Sequence, residues 1–539
     1  VAKLTTSQIG ALASNEARAL TASQVQGLTS AQVNALTTSN LAALQTQQVA
    51  SLSTTQLDGL ATAGAVALTT AQVQALSTAQ LQKLNTTAVS NLKTSQVIAM
   101  LTAQVNALTQ AQVQNLSTQQ VNALLTSQVQ ALSTDQVGYL SSAQVKNLTT
   151  AQLQTLSSSQ ITHVSSSGLT QLSTAQVVAL TTESVSALTS AQVVGLVTAQ
   201  VSALLTSQVA ALSTSSIVAL EDADLTALTT VQMRALSSGQ LQALSTGDVA
   251  LLSTTQASSL TGVQVAALTT DQVQALTTLQ VSNLTPDQVS SFTTDQIAKL
   301  ENTDVAALQA SQFVTVTANQ VGAFTTSQIS QLTTSVVAGL TDTQLGALTT
   351  SQLSNMTTTQ LDALSAAKIT ALSSTQVGGL TAAQLEHLST TQVRAIETAD
   401  LAALTTTKLN ALSTTQFNAL TSSQVVNLTV SQVSNLETAD LAALSTSNVT
   451  QLLKAQVEAL TTGEIKALSS SQLQALTTAN VAALSSSQIS SLGTASQVSA
   501  LTTTQVAALG SDQIQALTTN QITALTTAQV QSFKVDRKS

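Results

Sequence analysis

Four pairs of acidic side chains stand three residues apart in this chain, Glu221 with Asp224, Glu301 with Asp304, Glu397 with Asp400, and Glu437 with Asp440. Paired carboxylates could offer oxygen to a calcium ion. Calcium takes about six to eight oxygens, supplied from a loop that turns on glycine, and two carboxylates without such a loop fall short of that set. The pairs therefore read as variants of a helix start rather than as a metal site.

Other chemistry is sparse. The two histidines, His163 and His387, lie far apart in the sequence, and no Ser-His-Asp grouping can be assembled around either. There is no cysteine, which excludes disulfides, cysteine-based zinc sites and thiol catalysis together. Sequons at Asn115, Asn147, Asn283 and Asn427 arise because asparagine precedes Leu-Thr or Leu-Ser in the repeat, so they are weak evidence for glycosylation. No catalytic, cofactor-binding or metal-binding residue is assigned, no cofactor is called for, and the expectation is a protein that is not an enzyme.

Composition points the same way. Charged residues make up 7% and aromatic residues 1% of 539 residues, while 43% are hydrophobic and mean hydropathy is +0.28. Disorder goes with low hydrophobicity and high net charge, so this chain can bury a core. No apolar run approaches the length of a membrane span, because Thr, Ser or Gln interrupts every few positions. A net charge of −9, thinly spread, provides no basic stripe for a phosphate backbone and excludes nucleic acid as an expected partner. The chain opens with Val1 inside a repeat, and the expectation is a segment of a longer protein.

The elements that position these residues follow from an eight-residue period. Lettering the octad from its valine, Val97 to Gln104 run a to h, and the consensus is V-x-A-L-T-T-A-Q. From Leu4 to Leu492 every d position keeps one phase, with Met100, Val164, Phe292, Val316, Phe324, Met356 and Ile396 as apolar substitutes for Leu. One extra residue enters between Gly493 and Gln497, after which the pattern resumes to Phe533. This divides the chain into a continuous array over 1–492, the same repeat after a slip over 493–533, and a tail or junction over 534–539.

A strand places alternate residues on opposite faces, so a and d, of opposite parity, would face apart. A continuous helix fails too. Eight residues at about 100° each overshoot two turns by about 80°, so the apolar stripe would wind around the helix. The helix must break once per octad, and positions e to h supply the break. Thr-Thr-Ala-Gln is a capping box, in which the hydroxyl at e accepts from the N3 amide and the Gln at h reaches back to the amide of e. Pro286 falls at f, the first helical position, where proline loses no hydrogen bond. Acidic substitutes at h, such as Asp248 and Glu464, suit the positive end of the helix dipole.

The expected fold is all-α, an α-solenoid of short two-turn helices, one per eight-residue repeat, with the helix running from f to the following d. Val and Leu at a and d form the core edge with h beside it, and the charged side chains at b face water, as at Asp58, Arg234 and Glu458. Positions c and g are small, and the face they form is read as solvent in preference to one that lets another chain approach closely. No octad buries enough to stand alone, so stability must come from stacking on neighbours. Three octads per coil is one hypothesis. The Gln at h could cap its own helix only, which is the reading preferred, or form a ladder of side-chain amides from coil to coil.

The segments Leu-Thr-Thr-Ala-Gln-Val at 68–73 and 525–530, and the related 148–153, resemble the octapeptide repeats of giant proteobacterial surface proteins of the RTX-like adhesin or haem-utilisation-or-adhesion kind. The calcium-binding Gly-Asp nonapeptides of RTX proteins are absent. The resemblance implies an exported protein at the cell surface or outside the cell. Three functions follow as expectations. The first is an extracellular structural protein that forms a filament, sheath or stalk by self-association. The second is a passive spacer within a giant cell-surface adhesin, with other adhesin domains as neighbours. The third is a ligand or ice-binding surface presented by the Thr arrays.

Overall fold

A computed structural model describes residues 1–533 and is helical wherever it is regular, with 65 α-helices of four to six residues and one π-helix among the described residues. The tail set apart at 534–539 lies outside the described residues. The chain divides into two compact units, Val1–Leu268 and Thr269–Ser539, at a point that no change in composition marks.

Within the first unit the octad Thr69–Leu76 shows how eight residues make one element. Thr69 is extended (φ −72°, ψ 162°) and its hydroxyl accepts the backbone N–H of Gln72, which starts the helix Thr70–Ala75. Leu76 is again extended (φ −66°, ψ 135°), while its N–H still reaches the carbonyl of Val73 at 3.2 Å. Two consecutive extended residues, d then e, thus turn the corner between helices. The helix is shorter than the period alone suggests, because d leaves the helical conformation so that the next hydroxyl can cap. It runs from f to a, b or c, about one to one and a half turns, rather than through d.

Within each unit helices pack on those three octads later. In the first unit Thr46–Ala50 packs on Thr70–Ala75, which packs on Thr94–Ala99, and in the second Ser374–Gly379 packs on Thr398–Ala403. Each unit is therefore an α-solenoid with three helices to the coil. Isolated helices this short are unstable in water, so the stacking supplies what helix propagation cannot.

The core is a column of a and d side chains. Val73, Leu76, Leu385, Leu388 and most of their counterparts are buried, Leu220 and the first and last octads being the exceptions, and a accepts Ala257, Met233 or Phe417 without loss of burial. In the second unit Phe313 and Phe324 stack with ring centroids 5.8 Å apart. Positions e, f, g and b face outward, and c is half-buried more often than not. The third buried position is polar: the glutamine at h is as inaccessible as the valine beside it, 1% exposed at both Gln72 and Val73.

The one-residue slip has a local structural answer. Gly493 caps a π-helix, Thr494–Val498, in which the N–H of Val498 reaches back five residues to the carbonyl of Gly493 at 3.0 Å. A π-turn holds one more residue than an α-turn at the same place, which is how an insertion is absorbed.

The buried glutamine as candidate functional site

A glutamine that only capped its helix would leave its side-chain N–H donors in the core unused, at a cost of about 1–3 kcal/mol for an unsatisfied group. The structure assigns both ends of the amide. In the first unit Gln72 Oε1 accepts the backbone N–H of Thr69 at 2.7 Å, completing the capping box. Gln72 Nε2 donates to the carbonyls of Leu41 at 2.9 Å and Leu44 at 2.7 Å, 31 and 28 residues earlier. In the second unit Gln384 repeats this, with Thr381 at 2.8 Å and the carbonyls of Leu353 and Met356 at 2.9 and 2.8 Å.

Of the two acceptors the d carbonyl is one left over where a helix ends, since the last carbonyls of any helix lack an intrahelical partner, while the a carbonyl, which already accepts the N–H of d, takes the amide as a second donor. One amide therefore caps the start of its own helix and the end of a helix in the coil before. Local capping alone, the preferred reading from the sequence, is corrected by these bonds. The alternative ladder of amides is corrected with it, because the links run from side chain to backbone.

The sequence did carry a signal for this arrangement. A capping box accepts Glu as well as Gln, yet Glu stands at h only at Glu16 and Glu464. The bias toward the amide marks a position that must donate as well as accept. Residues with shorter or different donors keep the habit. Ser184 and Ser216 donate to the carbonyls of Leu156 and Leu188 at 3.2 Å each, and Asn448 and Asn480 to Leu420 and Leu452 at 2.7 and 2.8 Å. The Lys408 ammonium donates to the carbonyl of Gly378.

A second set of links lies on the outside. Side chains at b donate to the c carbonyl 25 residues later, as Asn106 does to Ala131 at 2.6 Å and Asn410 to Asn435 at 2.8 Å. Sequence reading placed b in water and missed them. Thr370 makes the same bond to Ala395 at 3.0 Å, so no single residue type advertises it.

The other candidate residues are not brought together. His163 and His387 are both exposed, and His163 Nδ1 lies 2.8 Å from the carbonyl of Ser159 on its own turn. Among the described residues no group of three or more His, Cys, Asp or Glu could hold a metal ion. The sequon asparagines are tied down locally, with Asn115, Asn147, Asn283 and Asn427 each donating to a carbonyl four residues earlier at 2.8 Å.

The acidic positions divide. Asp248 makes a capping box with Ser245, whose N–H lies 2.8 Å from Oδ2, and Glu464 does so with Thr461. The four Asp that follow Glu at e make none, so their reading as capping variants is corrected. Asp248 closes its box with the same short arm opposite Ser245, so what sets these four apart is the charged Glu at e, which offers no hydroxyl and repels the carboxyl. Asp304 Oδ1 accepts from the Thr278 hydroxyl at 2.7 Å, and Asp400 Oδ1 from Ser374, each 26 residues earlier. Burial raises the carboxyl of Asp304 above its ordinary value, the Thr278 hydrogen bond offsets part of this, and the charge of Glu301 adds to it. Burial, and then the charge of Glu437, push Asp440 up from 3.8 to about 6.

A family model described as the ALTTAQ repeat matches residues 1–38, 41–78, 111–150, 217–254, 243–278, 297–334, 355–390, 393–430, 433–470, 462–494, 492–519 and 498–535. No curated protein matches the chain. No described helix is long and apolar enough to cross a membrane.

Proposed function

The chain belongs to the ALTTAQ-repeat family, and from that premise we propose that it is an extracellular structural protein, a filament, sheath or stalk built by self-association, with no catalysis of its own. The observation that carries this reading is the dual role of the h amide. Most octads bring the side chain that ties them to the coil before, so length is gained by repetition.

The outer faces support lateral association. They carry hydroxyls, amides and alanine, from which large apolar side chains emerge one coil apart. Leu101 and Leu125 are 52% and 46% exposed, and Val194 and Val218 45% and 56%. Such residues are costly in water and productive against a second copy.

Sedimentation of the purified chain over a wide concentration range, with electron microscopy of the same samples, tests the proposal. Bundles or fibres that weaken when Leu101, Leu125, Val194 and Val218 are changed to Ser are the expected result. A chain that stays monomeric at the highest concentration overturns self-association and leaves the passive spacer of a surface adhesin.

A further inference from the structure

The Asp residues paired with Glu are among the places where the dual amide is missing. Asp304, Asp400 and Asp440 are 2%, 3% and 4% exposed, and in each the Oδ2 atom is buried with no hydrogen-bond partner. At h, Gln, Asn and Ser all donate to the d carbonyl 28 residues earlier. The same register sets the carbonyls of Leu276, Leu372 and Leu412 opposite the three Asp. A carboxylate has nothing to donate to them.

We propose that Asp304 and Asp440 are proton-operated links between coils of the second unit, closed when the carboxyl is protonated and donates its O–H to the d carbonyl of the preceding coil, and open when it is ionised. The charged surroundings favour the protonated form. Asp304 lies on Asn302–Ala307 behind Glu301, and the helices packed against it, Thr278–Ser282 and Thr326–Gln331, carry no charged residue. Asp440 lies behind Glu437 on Thr438–Ala443, between the uncharged Thr414–Ala419 and Thr462–Ala467, which contributes Glu464 and Lys466. Apart from Lys466, every charge on these elements is negative.

The direction of the pH effect follows by linkage. For Asp440 the folded value, about 6, lies above the ordinary 3.8, so the folded chain holds more protons between them. Its stabilisation is then fully present below the ordinary value and is lost as pH rises through the folded one.

The test compares the full chain with D304N/D440N, since asparagine at h donates without titrating. Thermal unfolding of the full chain should fall by a few degrees between pH 5 and pH 7.5, and the fall should be largely absent in the variant. In parallel, infrared difference spectra of the unaltered chain should show a buried protonated carboxylic acid that disappears with a midpoint near that of Asp440. Equal pH slopes in the two proteins, or no such infrared band at pH 5, overturn the proposal. So does full restoration of stability by calcium at pH 7.5, which would make the oxygen cluster a cation site.

Discussion

The regular octads before Leu492 and the slipped octad Gly493–Val498 solve one problem with different backbones. In the regular octad at Gln472 the amide bonds lie at 30 residues to Ala442 (3.0 Å) and 28 to Leu444 (2.8 Å). Across the slip they lengthen in sequence but not in space: Gln497 reaches Leu468 over 29 residues at 2.5 Å, and Gln505 reaches Leu476 over 29 at 2.7 Å. Once a whole coil has passed, Gln529 returns to 28 residues, with Leu501 at 2.6 Å. The comparison teaches that the coils are held in register by contact between amide and carbonyl, and the residue count adjusts to it through a π-turn.

Core deletion sets the scale against which that claim is measured. Leu473→Ala, at a fully buried a position, should cost about 2–5 kcal/mol. Local hydrogen exchange around Leu476 reads it, with the loss confined to adjacent coils if the array behaves one-dimensionally. Loss spread evenly over the second unit would mean that the coils do not unfold separately.

Amide removal separates the two regions. Gln472→Ala and Gln497→Ala should each cost about 1–3 kcal/mol by leaving buried carbonyls unsatisfied. Gln497 should be the more sensitive, because Gly493 offers no hydroxyl and the bond from its N–H to Gln497 Oε1, 2.6 Å long and four residues in span, is the side-chain cap there. Gln472→Glu keeps the acceptor for Ser469 and removes the donor, so a cost close to that of alanine assigns the energy to the inter-coil bonds. A harmless Gln497→Ala would refute register control by the amide.

Insertion asks whether the slip is special. One alanine placed after Ser471 should produce a second π-turn and cost about 1–3 kcal/mol, leaving the coils on either side protected in hydrogen exchange. Unfolding of the whole unit would show that Gly493 is required where register changes.

These experiments also mark what was legible beforehand. The fold was, since an octad can neither alternate nor wind, and its Thr-x-x-Gln box marks each helix start. The a, d and h burial followed from the same phase. The inter-coil bonds were not, because a periodicity states which residues recur and is silent on what lies one coil away. Only the scarcity of Glu at h pointed there. The extended conformation of d was equally hidden: Leu76 looks like the last residue of a helix until the capping of the next one is seen to need two extended residues in succession.

The smallest expected effect is at Gly493 itself. Its φ of −67° is ordinary for any L-residue, so glycine is not required there by backbone conformation. An added Cβ would meet Gln497 Oε1 at 3.2 Å and Ser496 Oγ at 3.4 Å, both at the ends of side chains that can move by a few tenths of an ångström. Gly493→Ser should then stabilise the slipped coil by about 0.4–1 kcal/mol, because the unfolded chain loses freedom. The hydroxyl adds little of its own, since the capping box is stretched to four residues and the Oγ no longer faces an N3 amide. A gain in unfolding midpoint equal to that of Gly493→Ala would confirm that the π-turn has exchanged hydroxyl capping for amide capping. A clear excess for serine would show that the hydroxyl still caps, and that slipped and regular octads differ less than their backbones suggest.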